Sequence, residues 1–280
     1  MSRLDDIAAG LAGGSLGVAA YDYLSSRTWA MNGDRWFHAA STIKIAVMAA
    51  VYDAIDSGRF TPESRVHVRN HFRSVVDAQP FRVQASRDAD AEVYEAIGRT
   101  MRIAELVRHM IASSSNLATN LLLDVTGLDA ARAALVSRGI DGVNLRRGVE
   151  DDRAFQAGLS NEVTPNGLVA LLRVVRDGTG YSAESTQAML DALFDQRFAG
   201  AIGPGLPDAV RSLTRVAHKT GDISSASHDA GIVDLPGRPP YVVALLAESG
   251  GDAAARLAAI TAASRAVYDE VAAAGESSRS

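Results

Sequence analysis

The sequence contains no cysteine, which excludes disulfide bonds, thiolate nucleophiles and cysteine-ligated metal ions. Because exported proteins also fold without disulfides, this absence leaves the redox compartment open. No apolar run approaches the roughly 18 residues that cross a bilayer. The net charge is only −5, and the lysines and arginines form no dense block along the sequence. We therefore expect a small-molecule substrate and neither a membrane nor nucleic acid as a partner.

Residues 1–14 also lack the features of a signal peptide. Asp5 and Asp6 stand where a leader carries basic residues, and the apolar stretch is short and interrupted by glycine. The sequence as it stands predicts a cytoplasmic protein. If a native leader has been removed, the periplasm or the exterior of the cell is expected instead.

The 280 residues, of which 47% are apolar, can bury a sizeable core. Strand-like runs lie near both ends of the chain, whereas helical spacing prevails from Ser41 to about Gln196. We predict an α/β (α+β) fold, in which an antiparallel sheet from both termini is flanked by helices and an all-α lobe is inserted between them.

This pattern predicts one catalytic domain, residues 1–280, in two lobes. Residues 1–40 and 208–280 would form the α/β lobe, and residues 41–207 the all-α lobe. The predicted elements are strands at residues 15–25, 28–33, 214–218, 230–234 and 241–247 and a last helix at residues 253–274, followed by a disordered tail at residues 275–280.

Ser41 and Lys44 are the first candidate site residues, at the start of an apolar helical segment. Three residues apart, they share one face of a helix, with the hydroxyl at the positive end of the helix dipole. A lysine held among apolar side chains and other cations loses proton affinity and can take the proton of a nearby hydroxyl. Because an N-cap serine and a surface lysine give the same spacing, the pair needs support from other motifs.

A second polar motif, Ser114-Ser115-Asn116, interrupts two apolar helices. Short turns place such groups at the edge of a cleft, and the alternative is ordinary helix capping by Ser115 or Asn116.

A third motif, His218-Lys219-Thr220-Gly221, ends a predicted strand. There Lys219 with Thr220 can hold a carboxylate, and Gly221 lets the backbone of a ligand approach closely.

Together and in this order, the Ser-x-x-Lys, Ser-x-Asn and Lys-Thr-Gly motifs resemble those of class A β-lactamases and penicillin-binding proteins. The resemblance covers essentially the whole chain, through the segments GVAAYDY, FHAASTIKIAVMAAVYDAIDSG, MIASSSNLATNLLLDVTG and HKTGD. It implies a β-lactamase-like serine hydrolase that opens the β-lactam amide through a covalent acyl-enzyme, without a cofactor.

The resemblance also implies a role for each matching residue. The catalytic group consists of Ser41 as the nucleophile, Lys44 as its proton acceptor or relay, and Ser114 as the proton donor to the leaving nitrogen. In the binding group, Asn116 would hold the side-chain amide of the substrate. Lys219 and Thr220, followed by Gly221, would hold its carboxylate. The backbone N–H groups of Ser41 and Asp222 would stabilise the oxyanion.

Deacylation in this family depends on a loop glutamate, and Glu150 matches it when VNLRRGVEDDRAF is laid over the family's stretch. The surroundings depart from the pattern: the family's Pro after the Glu is Asp151, and its Asn four residues on is Ala154. The Arg and Asp that pin the loop fall at Gly148 and Asn161. Because a Glu-Asp-Asp run is also typical of a solvated charge cluster, both Glu150 and, as a fallback, Asp151 stay open as the base.

Other departures concern the substrate range. The family's substrate-binding Arg after the Lys-Thr-Gly strand has no match, although His228 can take part of its place, and residues 67–99 resemble an insertion. Within it, His67 and His71 have the i, i+4 spacing of a metal pair, but no H-E-x-x-H motif is complete. We therefore predict surface histidines and no metal site.

Several alternatives remain open. An esterase or D,D-peptidase-like amidase of the same fold would hydrolyse simple esters and leave penicillins intact. A sensor would be acylated once at Ser41 and stay acylated. A catalytically dead homologue would serve as a scaffold and would not be labelled at all. In each case we expect a monomer.

Overall fold

Strands from both ends of the chain form one antiparallel sheet in the computed structural model, which describes residues 2–11 and 13–277. The strands are β1 (Ser15–Asp22), β2 (Thr28–Met31), β10 (Arg215–Ile223), β11 (Ala226–Asp234) and β12 (Tyr241–Glu248). Their order across the sheet is β10-β11-β12-β1-β2, so the first and last strands of the chain meet at its centre. The predicted sheet is confirmed.

Alternating side chains of the central strands enter two hydrophobic clusters, one on each face of the sheet. Along β12, Ala244 and Leu246 belong to the cluster shared with the helices from the middle of the chain, whereas Val243 and Leu245 belong to the cluster shared with the terminal helices. The pleat of a strand, with its period of two, produces this division. Because both faces are covered, β12 is apolar from Tyr241 to Ala247.

Helices cover both faces of the sheet. The terminal helices are α1 (Ser2–Ala9) and α12 (Ala253–Ser277), and α12 packs on β12 and β11. The remaining helices are α2 (Ile43–Asp56), α3 (Ala91–Glu95), α4 (Ile103–Ala112), α5 (Asn116–Thr126), α6 (Leu128–Ser137), α7 (Asp152–Gln156), α8 (Pro165–Asp177), α9 (Ala183–Phe194), α10 (Ile202–Gly205) and α11 (Asp208–Arg211), with 3-10 turns at Ala40–Thr42 and Ala85–Arg87.

Helix α2 lies inside the molecule, in contact with α4, α5, α6, α8 and α9. Every side chain from Ile43 to Tyr52 is buried, as expected of a helix that is apolar nearly all round. The 3-10 turn that precedes it contacts β10 and β11. The beginning of the buried helix is therefore held where the helices meet the sheet.

The segment predicted to be all-α also contains short strands. Two pairs are β4 (Arg65–His67) with β7 (Thr100–Arg102) and β5 (Phe72–Arg73) with β6 (Pro80–Phe81). Two further strands, β8 (Val143–Asn144) and β9 (Glu162–Val163), form a small sheet with β3 (Phe37–His38), which lies just before the segment. Strands of two or three residues are too short to leave a visible alternation in the sequence. The division into two lobes stays a prediction.

At the C-terminal end, α12 extends past the predicted end at Ala274 to Ser277. The last part of the predicted disordered tail, residues 278–280, lies outside the described residues. No helix of the described part of the chain has both the length and the apolar character needed to cross a membrane.

Candidate active site

Ser41 lies in the 3-10 turn that leads into α2. Its Oγ is 3.1 Å from Lys44 Nζ, as the three-residue spacing predicts. Ala40, directly before it, has a φ of 45°, a left-handed conformation that side-chain-bearing residues rarely adopt. This bend carries the chain from β3 into the helix and leaves Ser41 on the wall of a cavity.

The amine of Lys44 is fully buried and has four polar neighbours. Its Nζ lies 3.1 Å from the hydroxyl oxygens of Ser41 and Ser114, 2.7 Å from the Ser114 carbonyl and 2.8 Å from Asn116 Oδ1. Burial, followed by the positive charge of Lys219, holds the pKa of Lys44 well below its usual value. Because the two carbonyl oxygens only accept, they take the two N–H groups of a neutral amine, and its lone pair is left for a hydroxyl proton.

Ser114 occupies the turn between α4 and α5. The capping role that the sequence left open for this motif belongs to Ser115, whose Oγ accepts from the Ala118 N–H at 3.1 Å. Ser114 itself has a φ of 58°, and this turns both its carbonyl and its hydroxyl toward Lys44.

Left-handed backbone is concentrated at this site. Of the six non-glycine residues with positive φ among the described residues, Ala40, Ser114 and Glu150 all border the same cavity. Each such residue costs roughly 1 kcal/mol or more. Strain of this kind persists where the surrounding structure needs a side chain in one particular place.

Lys219 and Thr220 lie within β10, not at its end as predicted, because the strand continues to Ile223. The side chain of Lys219 is fully buried, and burial lowers its pKa to about 7. Its Nζ donates to the Thr220 carbonyl at 3.0 Å, and Thr220 lines the cavity. A cation beside a hydroxyl suits the binding of a carboxylate.

Gly221 has a role that the sequence does not reveal. A Cβ at this position would lie 3.1 Å from the backbone nitrogens of Ser41 and Thr42. The missing side chain therefore lets β10 approach the turn that carries the hydroxyl. The next residue, Asp222, lines the cavity, and burial raises the pKa of its carboxyl.

Glu150 lies in the same cluster as the motif residues. Its Oε1 accepts from Asn116 Nδ2 at 2.9 Å, and its Oε2 accepts from the Gln84 N–H at 3.0 Å. Only 4% of its side chain is exposed, so it is not part of a solvated charge cluster. Since Asn116 also accepts from Lys44, one amide links the amine to the carboxylate.

One cavity of about 780 Å³ connects these groups. Its walls include Ser41, Ser114, Asn116, Glu150, Thr220 and Asp222. A cleft of this volume suits a small organic molecule. The Ser41 and Ser114 hydroxyls, the Glu150 carboxylate and Thr220 face one space, and the buried Lys44 amine lies 3.1 Å from the two serine hydroxyls. This arrangement is suited to acyl transfer.

The model of the "Beta-lactamase enzyme family" matches residues 1–271.

This chain belongs to the β-lactamase enzyme family.

Solved structures of the family share the whole architecture. A β-lactamase from Sphaerobacter thermophilus is 30% identical with a TM-score of 0.81, over 97% of each chain. A class A β-lactamase reconstructed for the last common ancestor of Gram-negative bacteria is 29% identical with a TM-score of 0.80, over 96% of this chain and 98% of that one. A variant of PBP-A, solved as an acyl-enzyme complex with penicillin G, is 25% identical with a TM-score of 0.78, over 96% of each chain. By family and fold the protein is a β-lactamase-like hydrolase of class A type.

The β-lactamase loop that carries Glu150 is closed in an unexpected way. Asn161 Oδ1 accepts from the backbone N–H groups of Arg146 at 2.7 Å and Arg147 at 3.1 Å, and its Nδ2 donates to the Arg147 carbonyl at 3.0 Å. Three hydrogen bonds to the backbone thus occupy the place where the family pattern implies an Arg–Asp ion pair.

Asp151, the fallback base, does not line the cavity. Its Oδ1 accepts from the Ala154 N–H at 3.2 Å and caps α7, and its Oδ2 accepts from the Val75 N–H at 3.0 Å. Both carboxylate oxygens serve the backbone, which leaves Glu150 as the candidate base.

His228 cannot replace the missing substrate-binding Arg. Its side chain is buried, its Nε2 donates to the His38 carbonyl at 2.9 Å, and its Nδ1 accepts from the Ala247 N–H at 3.3 Å. Burial lowers its pKa to about 4, so the ring is neutral and joins β3 to the central sheet.

Part of the predicted insertion, residues 67–99, borders the site. Gln84 donates its N–H to Glu150, and the Arg87 carbonyl accepts from Asn116 Nδ2 at 3.0 Å. Both contacts use the backbone, which leaves no side-chain signal in the sequence. Sequence reasoning therefore missed this wall of the cavity.

Proposed function

We propose that this protein is a serine β-lactamase that opens the β-lactam amide through a covalent acyl-enzyme at Ser41. The observation that carries the proposal is the position of the buried Lys44 amine, 3.1 Å from the hydroxyls of both Ser41 and Ser114. Membership of the family supports it, as does the acyl-enzyme that a PBP-A variant forms with penicillin G.

In the proposed acylation step, the neutral Lys44 amine takes the proton of Ser41 while Oγ attacks the β-lactam carbonyl carbon. The N–H groups of Ser41 and Asp222 stabilise the oxyanion. The carbon–nitrogen bond then breaks, and Ser114 donates its proton to the departing nitrogen and is reprotonated from Lys44. Thr220 and Lys219 hold the substrate carboxylate.

In the proposed deacylation step, Glu150 takes a proton from a water molecule whose oxygen attacks the ester carbonyl carbon. The bond from that carbon to Ser41 Oγ then breaks, and Glu150 gives its proton back, which restores the Ser41 hydroxyl and the free carboxylate. Its carboxylate is held by Asn116 and by the Gln84 N–H, at 2.9 and 3.0 Å. Its Oε2 also lies 3.7 Å from Arg87 Nη1, and together these contacts fix the direction of the carboxylate, as a general base requires. Because Ala154 has no polar group where the family has an Asn, Glu150 has one neighbour fewer to orient the water, and we expect deacylation to be the slower of the two steps.

The test is nitrocefin turnover by the wild type, Ser41→Ala and Glu150→Gln, with intact mass spectra recorded during the reaction. Wild type is expected to turn over, Ser41→Ala to give neither turnover nor adduct, and Glu150→Gln to accumulate the acyl adduct. Glu162→Gln is the matched control, since Glu162 lies on β9 and does not line the cavity. It is expected to behave as wild type.

Two results would replace the proposal. A permanent adduct on wild type, without turnover, would make the protein a β-lactam sensor. Neither turnover nor adduct, combined with Ser41-dependent hydrolysis of p-nitrophenyl acetate, would make it an esterase of the same fold.

A further inference from the structure

The cavity extends away from Ser41 into a region that the proposed mechanism does not use. Its walls there include His38, Arg147 and Phe155, which we call the Arg147 subsite. His38 lies three residues before Ser41, and Arg147 lies three residues before Glu150. The subsite is therefore joined to the reaction centre by two short pieces of chain.

Arg147 is a buried cation with too few partners. Only 7% of the residue is exposed, its Nη1 donates to the neighbouring Gly148 carbonyl at 3.2 Å, and its Nε is buried without a hydrogen-bond partner. The negative charges of Asp151 and Asp152 attract the Arg147 guanidinium. Neither carboxylate forms an ion pair with it in the part of the chain that the structure describes. A guanidinium has five N–H groups to satisfy, and an unsatisfied buried charge is costly.

His38 supplies a second donor to the same wall. Its Nδ1 accepts from the Ala40 N–H at 3.0 Å, which assigns the proton of the neutral ring to Nε2. Burial, followed by the positive charge of Arg147, lowers the pKa of His38 and keeps the ring neutral at pH 7. The ring packs edge to face on Phe155, with the centroids 6.0 Å apart.

Phe155 places an apolar surface beside the two donors. The Arg147 guanidinium carbon lies 5.2 Å from the centroid of its ring, and about half of Phe155 is exposed. The subsite thus combines a guanidinium, an N–H donor and an aromatic face. These are the groups that recognise a carboxylate attached to an apolar or aromatic substituent.

We propose that the Arg147 subsite binds a carboxylate on the acyl side chain of the substrate, so that the enzyme prefers acyl donors with an acidic side chain. This inference rests on the proposed function. The carboxylate is a second one, separate from the group that faces Lys219 and Thr220. Asp152, at the rim, is paired with Arg87 at 3.5 Å and so repels an incoming anion less than an unpaired carboxylate would.

Selectivity follows from the unsatisfied guanidinium. A carboxylate supplies the missing acceptors to Arg147, in the two-bond geometry that a guanidinium favours. A neutral side chain of the same size leaves the buried cation unpaired, and a site built for hydrogen bonds rejects such ligands.

The direct test separates binding from chemistry by using Ser41→Ala protein. Phenylmalonic acid monoamide and phenylacetamide differ by one carboxylate, and calorimetry measures the dissociation constant of each. The monoamide, which carries the carboxylate, is expected to bind at least about tenfold more tightly. Arg147→Met should abolish that preference, and Arg146→Met should keep it, because Arg146 does not line the cavity. Equal binding of the two compounds, or a preference that survives in Arg147→Met, overturns the proposal.

The second test measures acylation of otherwise wild-type protein by carbenicillin and benzylpenicillin, which differ by the same carboxylate. Carbenicillin is expected to acylate at least about tenfold faster, and Arg147→Met should bring the ratio near one. If neither compound acylates the enzyme, the proposed function fails, and the binding test still decides on the subsite. If Arg147→Met does not fold, Arg147→Lys takes its place, with the preference expected to decrease because the two-bond geometry is lost.

Discussion

At the scale of single residues, the placement of lysine stands out. The sequence has only two lysines, Lys44 and Lys219, and both are fully buried at the candidate active site. All the other residues counted as Lys or Arg are arginines. Because arginine cannot give up its proton near neutral pH whereas a buried lysine can, an arginine could not replace Lys44 as the acceptor of the Ser41 proton.

The two lysines allow a direct measurement of their pKa values. In protein labelled with ¹³C at lysine Cε, two side-chain signals are expected, one titrating near pH 7 for Lys219 and one well below the ordinary lysine range for Lys44. Lys44→Arg, which leaves a single signal, assigns them. Titration of both signals near pH 10.4, the unperturbed lysine value, would contradict the buried environment.

The same measurement predicts the pH dependence of acylation. The neutral form of Lys44 accepts the Ser41 proton, and its pKa is lowered. At saturating substrate, the rate constant for acylation should therefore fall as the pH drops through the pKa of Lys44, whereas the affinity for the substrate carboxylate should decrease above about pH 7 as Lys219 loses its proton. Stopped-flow acylation between pH 5 and pH 9 checks this, and a rate that increases toward acid would exclude Lys44 as the acceptor.

At the scale of elements, the contact between β10 and the turn before α2 determines the distance between nucleophile and strand. Gly221 makes that contact possible. Gly221→Ala places a Cβ 3.1 Å from the Ser41 and Thr42 nitrogens, so the turn must shift by a few tenths of an ångström. We expect acylation to slow by about tenfold or more, measured by stopped flow.

The control for Gly221→Ala is Gly203→Ala. Gly203 lies on α10, and a Cβ there has no neighbour within 4 Å. Acylation by this variant should equal that of wild type. Equal rates in both variants would mean that the turn adapts freely to the added methyl group.

The loop that carries Glu150 depends on Asn161. Removing the Asn161 amide in Asn161→Ala leaves the buried N–H of Arg147 and the partly buried N–H of Arg146 without their acceptor, which should lower the free energy of unfolding by about 1–3 kcal/mol. It should also slow deacylation more than acylation, because Glu150 loses its support while Lys44 does not. Burst kinetics with nitrocefin separate the two steps. Ser160→Ala, which removes only a 3.4 Å contact, should change neither.

At the scale of the whole molecule, the central sheet joins the two hydrophobic clusters. Leu245 and Leu246 are adjacent and fully buried, but they face opposite clusters. Because β1, β10, β11 and β12 each contribute side chains to both clusters, we expect the described part of the chain to unfold cooperatively. The candidate site, which lies where the sheet meets the helices, should be lost in the same transition.

Matched core variants test this cooperativity. Leu245→Ala and Leu246→Ala should each lower the free energy of unfolding by about 2–5 kcal/mol, in one transition seen alike by tryptophan fluorescence and far-ultraviolet circular dichroism. If the two variants instead shifted two separate transitions, the clusters would fold independently.

Much of this protein could be read from local sequence patterns. Apolar periodicity locates the terminal strands and the buried helix, since each period reflects which faces of an element are covered. The spacing from Ser41 to Lys44 needs one helical turn only. The order of the three motifs identifies the family, which the comparisons confirm.

Tertiary structure decided the rest, because it depends on groups that are far apart in sequence or belong to the backbone. The Gln84 N–H on Glu150 and the Asn161 amide on Arg146 and Arg147 are contacts between a side chain and the backbone. Such contacts leave no residue pattern to recognise. The sequence by itself determined the architecture and the candidate nucleophile; only folding determined that Glu150 joins that group and that the Nε of Arg147 is buried without a hydrogen-bond partner.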